Sequence, residues 1–204
     1  MIRKDSIDEF ISYVNLKELN LKNKIKSSFY ETNKISINKS KYGYKMPTLI
    51  EYAAFYGSIQ IFKYLFLNGA EVNSSIWIYA VHGNNPELFG FLEEKKVEKN
   101  EEIDLKVFEE AIKCHHNDVA NYFLTNYLQN NNDISNITSL NAFKYFNFNF
   151  IDENLDNETL FAYACEFDYY FIAELILKTE KIDINQEYTK IIKCILKFKI
   201  SMEF

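Results

Sequence analysis

Residues 48–73 read TLIEYAAFYGSIQIFKYLFLNGAEVN, and the same pattern returns along the chain. Moved 27 positions on, it meets WIYAVHGNNPELFGFLEE, where Ala80 replaces Ala53, Asn84 replaces Gly57, and Leu88, Phe89 and Leu92 replace Ile61, Phe62 and Leu65. Moved 58 positions on, it meets EEAIKCHHNDVANYFL, with Ala111, His115, and then Val119, Ala120, Phe123 and Leu124. Moved 111 positions on, it meets FAYACEFDYYFIAELILKTEKIDIN, with Ala164, Asp168, and then Ile172, Ala173, Ile176 and Leu177. A weaker copy runs through Ala142 and Phe146. Its second-helix positions, Phe150, Ile151, Glu153 and Asn154, make a poor helical face, so that helix is expected to be shortened or lost. Such self-similarity marks a solenoid, in which each unit buries its apolar face only against its neighbours.

Each unit reads as a helix pair. Ala53 and Ala54 let the first helix pack closely on its neighbours, and the apolar residues of the second fall on one face. Gly57 and Gly69 stand where the two helices end, a place that needs φ above zero and suits glycine. At the equivalent joints Asn84, His115 and Asp168 are of the non-glycine types enriched at positive φ. Pro86 falls at a helix start, where its missing N–H costs nothing.

The template resembles the ankyrin repeat. Thr48-Leu49-Ile50-Glu51-Tyr52-Ala53-Ala54 stands where that family has T-P-L-H-x-A-A, and Gly57 stands at its inter-helix glycine. Asn68-Gly69-Ala70-Glu71-Val72-Asn73 matches the closing N-G-A-D-V-N, and Ile182-Asp183-Ile184-Asn185 repeats it. Leu49 and Glu51 depart from the family's Pro and His, which is expected to weaken the hydrogen-bonded corner at the start of the first helix. The array also resembles a divergent ankyrin family expanded in some parasitic protists and catalogued mainly as a domain of unknown function.

The resemblance implies an all-α, ankyrin-type helical-repeat solenoid. The alanine-to-alanine intervals of 27, 31, 31 and 22 residues fall short of the family's period of about 33, so its β-hairpin fingers are expected to be trimmed, most of all between Asn73 and Ile76. Residues 1–45 form an N-terminal helical cap or half-repeat. Repeats cover 46–185, at about 47–75, 76–100, 104–130, 138–156 (degenerate) and 158–185. Residues 186–204 form an incomplete repeat or C-terminal cap. In the N-terminal region, DSIDEFISYV reads as a helix capped by Asp5 or Ser6, with Ile7, Phe10, Ile11 and Val14 on one face. Residues 24–30 read as helical and 31–44 as loop.

Composition narrows the function classes. Five glycines and two prolines are too few for the tight turns of a many-stranded β fold. The net charge of −6 is spread without a basic stripe, which argues against nucleic acid. The first residues, MIRKDSIDEF, carry no apolar run of a secretory signal, and no apolar run approaches the ~20 residues that span a bilayer. Three scattered cysteines, Cys114, Cys165 and Cys194, suit free thiols in the cytoplasm or nucleus. Order is expected to fail only near residues 129–136, a polar tract rich in Asn.

The cluster Cys114-His115-His116-Asn117-Asp118 carries ligand-type residues. A zinc site aims three or four ligands at one point, whereas adjacent histidines diverge. Cys114 with His115 or His116 as base has no third, orienting residue in the sequence. The alignment instead makes His115 a turn residue, Cys165 a small core residue and Trp77 a buried one. Glu109, Glu110, Glu93 and Glu94 read as solvated faces. No metal, cofactor or catalytic residue is expected. A metal-dependent or cysteine hydrolase centred on residues 114–118 is the alternative, together with a fragment of a longer array.

The resemblance implies protein–protein interaction and names no partner. Positions just before the inter-helix glycine face the family's binding groove: here Phe55 and Tyr56, His82 and Gly83, Lys113 and Cys114, Lys144 and Tyr145, Glu166 and Phe167. Tyr44 and Lys45 match the hairpin tip. Aromatic and charged groups there suit a binding surface for another protein.

Overall fold

A computed structural model describes residues 1–25, 39–40, 43–44, 46–131 and 133–179. Of the helix expected over 24–30, Lys24 instead forms an antiparallel bridge with Thr48, and residues 26–30, most of the loop over 31–44, the second closing motif and the C-terminal unit lie outside these residues. The described elements are helical, apart from a two-residue antiparallel ladder of β1 (Lys39–Ser40) and β2 (Gly43–Tyr44). No helix among them is long and apolar enough to cross a membrane.

The chain divides into two compact units, residues 1–130 and 131–204. The first opens with a 3-10 turn (Ile2–Lys4) and α1 (Ile7–Lys17). Three helix pairs follow: α2 (Leu49–Phe55) with α3 (Ile59–Leu67), α4 (Ile76–Gly83) with α5 (Pro86–Glu94), and α6 (Glu101–Lys113) with α7 (Asn117–Tyr127). The first helices stack, α4 lying between α2 and α6, while each second helix packs on its own first helix. No strand occurs between α3 and α4.

Alanine makes this stacking close: Ala53, Ala80 and Ala111 are fully buried. The buried core of this unit includes Ile50, Ile61, Phe62, Leu65, Trp77, Phe108 and Phe123. Phe10 of α1 closes one side of this core, edge-on to Tyr64 at 6.0 Å.

In the second unit α8 (Ile134–Lys144) precedes a 3-10 turn (Phe148–Phe150), and α9 (Asn157–Glu166) pairs with α10 (Tyr170–Thr179). The turn stands where the degenerate repeat has lost its second helix. Phe143, Phe161, Ala164, Cys165, Ala173 and Ile176 form the unit's core, and Leu177 is exposed. The polar tract was expected to lack order through residue 136, yet α8 begins within it at Ile134. Ala142 and Phe143 bury against the rest of the unit and outweigh the low helix preference of the tract.

All five joints adopt positive φ: Gly57 at 63°, Asn84 at 43°, His115 at 59°, Phe146 at 60° and Asp168 at 61°. At four of them the residue after the joint donates its N–H back to the alanine carbonyl: Ser58 to Ala53 (2.9 Å), His116 to Ala111 (2.9 Å), Asn147 to Ala142 (2.9 Å) and Tyr169 to Ala164 (2.7 Å). This six-to-one bond of a Schellman turn satisfies a carbonyl the helix leaves open. The conserved spacing from alanine to joint is thus a backbone hydrogen bond seen in sequence.

One expectation at a helix start is corrected and another refined. Glu51 does not weaken its corner. It closes a capping box with Thr48, taking the Thr48 N–H at 2.7 Å while Thr48 Oγ1 takes the Glu51 N–H at 3.3 Å. Ser6 is the N-cap of α1, as expected, but makes no side-chain cap bond there. Asp5 reaches α3 instead, its carboxylate accepting the N–H groups of Gln60 and Ile61 at 3.0 Å each.

Candidate functional site

The C-terminal ends of α2, α4 and α6 gather a run of aromatic and ionisable side chains. Phe55 stacks on His82, with ring centres 4.5 Å apart and planes 25° from parallel. Phe55 meets Tyr56 edge-on at 5.1 Å, and Tyr56 lies 4.8 Å from Tyr52. The Arg3 guanidinium stands 5.0 Å over the Tyr56 ring and donates to the Tyr52 hydroxyl at 3.1 Å.

On the α6 side His82 meets two residues of the neighbouring first helix. Its Nδ1 lies 3.6 Å from Cys114 Sγ and its Nε2 lies 3.0 Å from Glu110 Oε1. Four residues separate Glu110 from Cys114, so one helical turn puts both on the same face. Lys113 Nζ lies 2.7 Å from Glu110 Oε1. The His82 and Glu110 side chains are only 21% and 17% exposed, so their charges interact at short range with little screening.

Burial pulls the His82 imidazole towards its neutral form, but the sulfur of Cys114 and the carboxylate of Glu110 outweigh it and raise the pKa from 6.5 to about 9. Burial likewise pushes Glu110 up, and His82 and Lys113 together bring it below its usual value. Both neighbours thus favour the protonated imidazole over the neutral one.

Of the residues expected to face the groove, Phe55, Tyr56, His82 and Lys113 come together here. In the second unit Lys144 stands 5.0 Å over the Tyr145 ring, Glu166 is exposed, and Phe167 packs half-buried against that unit's core. Tyr44 contributes backbone to β2, and Lys45 lies outside the described residues. Gly83 offers no side chain there and abuts the backbone of Ala54 and Gly57.

The sequence missed Glu110. It is not a solvated carboxylate; its distance of one turn from Cys114 was the available signal. The imidazole beside Cys114 is His82, not the adjacent His115 or His116. His115 is an exposed turn residue, and His116 donates through Nδ1 to the Val81 carbonyl at 2.7 Å. The position of His116 does the same elsewhere. Ser58 bonds Ile2 O at 2.5 Å, Asn85 bonds Gly57 O at 2.8 Å, and Tyr169 bonds Phe143 O at 2.6 Å. Each is a side chain at the head of a second helix tying down a carbonyl of the preceding segment.

Trp77 is buried, as the alignment requires. The Lys99 ammonium lies 4.9 Å over its ring and 3.2 Å from Asp104. Comparisons with family models, with curated proteins and with solved structures find no match for this chain.

Proposed function

We propose that this chain is a non-catalytic, ankyrin-type repeat protein that binds another protein in the cytoplasm or nucleus. The binding surface is the set of first-helix ends carrying Phe55, Tyr56, His82 and Lys113. The observation that carries this is the half-exposed aromatic run Tyr56–Phe55–His82, bounded by the cations Arg3 and Lys113. Stacked rings with polar rims supply contact area at little entropic cost and are the composition of interface hot spots. The buried alanines and positive-φ joints support the repeat assignment, because they recur at the template positions in all five copies. The equivalent positions in the second unit, Lys144, Tyr145, Glu166 and Phe167, belong to the same reading.

Replacing Phe55 and Tyr56 together with Ala tests it. The expected result is loss of partners captured by the unaltered chain, with the helical circular-dichroism signal kept. Full retention of every partner by the folded variant would remove the assignment.

A further inference from the structure

Cys114, His82 and Glu110 bring a thiol, an imidazole and a carboxylate together from two facing helices. Their donor atoms lie within 4.8 Å of one another. We propose that these three residues bind a divalent cation of the zinc class, with an open fourth position facing the surface of the first-helix ends.

The distances suit this coordination. Zinc bonds of about 2.3 Å to sulfur and about 2.0–2.1 Å to nitrogen, at the tetrahedral angle, hold the two donors about 3.6 Å apart. Cys114 Sγ and His82 Nδ1 are 3.6 Å apart. Glu110 completes the set. Its Oε1 is 3.0 Å from His82 Nε2, but that nitrogen makes no aligned hydrogen bond, so the ring does not lock the carboxylate. Coordination requires the Glu110 side chain to turn from Lys113 towards the ion.

The positions are held by the fold. Glu110 and Cys114 ride on α6 and its C-cap, one turn apart, and His82 sits in the last turn of α4, which packs on α6. Phe55 stacks on the His82 ring and fixes its plane. Ligands on helices with supported rings are preorganised, which is what metal affinity requires. The ion takes thiolate and neutral imidazole, so a ligand that carries a proton in excess of these releases it to solvent on binding.

Lys113 opposes the ion. Its ammonium, 2.7 Å from Glu110 Oε1, competes for the carboxylate and repels a dication. This gives the proposal a signature that a structural role for the cluster would not produce. Removing Lys113 tightens binding, and removing the charge of Glu110 weakens it.

The test is titration of the chelator-treated full chain with Co(II), followed by Zn(II). The expected result is a thiolate-to-cobalt charge-transfer band that saturates at one equivalent and is displaced by Zn(II). Cys114→Ser and His82→Ala lose the band, whereas Cys165→Ser and Cys194→Ser keep it. Glu110→Gln weakens binding at least tenfold, and Lys113→Met tightens it several-fold. No band at one equivalent, or a band kept by folded Cys114→Ser, overturns the site. Should the serine variant not fold, the opposed shifts of Glu110→Gln and Lys113→Met decide, and equal affinity in those two overturns the proposal.

Discussion

Gly83 lies against Gly57 with no space for a side chain between them. A Cβ on Gly83 would stand 2.4 Å from the Ala54 carbonyl oxygen and 2.5 Å from the Gly57 nitrogen. The contact is backbone on backbone, so a flexible side chain cannot relieve it. The first two helix pairs meet closely because both residues are glycine.

Gly83→Ala is therefore expected to destabilise the first unit by about 1–3 kcal/mol through forced separation of α2 and α4. Gly90→Ala makes the control. A Cβ there meets nothing within 4 Å, and its place inside α5 favours alanine by about 0.5–1 kcal/mol. Urea unfolding of the two variants should shift in opposite directions.

The joint at His115 gives a second expectation. Its φ of 59° is left-handed and its side chain is exposed, so glycine relieves backbone strain and loses no packing. His115→Gly should leave stability unchanged or raise it by up to about 1 kcal/mol. His115→Val should lower it, because a β-branched residue tolerates that region least. Thermal melts of both variants decide.

How far these features could be read from sequence depends on how local they are. The joints were legible because alanine and the positive-φ residue stand four apart in one chain segment, whatever else surrounds them. The capping box of α2 was legible in the same way, as Thr48-x-x-Glu51, but comparison with a repeat pattern that carries His there drew attention from it. The contact of His82 with Cys114 spans 32 residues and depends on the register of α4 against α6, which periodicity does not encode. The adjacent histidines at 115 and 116 show the converse, since neighbours in sequence need not meet in space. The close approach of Gly83 to Gly57 escapes the sequence for a related reason. Its position in the repeat was right, but its neighbour across the stack was invisible.

Asp5 illustrates the same limit and yields a third expectation. From the N-terminal segment it accepts the N–H groups of Gln60 and Ile61 and so caps α3 from a distance. Asp5→Ala should cost about 1 kcal/mol, as the loss of a helix cap does. Hydrogen exchange should show faster exchange at Gln60 and Ile61 than in the unaltered chain.

Asp156 gives a pH dependence. The Thr159 N–H, donated at 2.7 Å, holds its carboxyl below the ordinary value of 3.8. A carboxyl depressed in the folded state adds stability that is present above the unfolded value and is lost as pH falls through the folded one. Asp156→Asn should therefore flatten the acid limb of the stability curve below about pH 4, measured by urea unfolding across that range.

The binding assignment of the first-helix ends is tested most directly by a photo-crosslinking residue placed at position 55 in the full chain, expressed in its native cells. A second probe at Leu67, which is 78% exposed at the far end of α3, serves as reference. The expected result is a discrete protein adduct from position 55 that is absent from position 67 and lost when Tyr56 is changed to Ala. Equal labelling from the two positions, or no adduct from position 55, would contradict it.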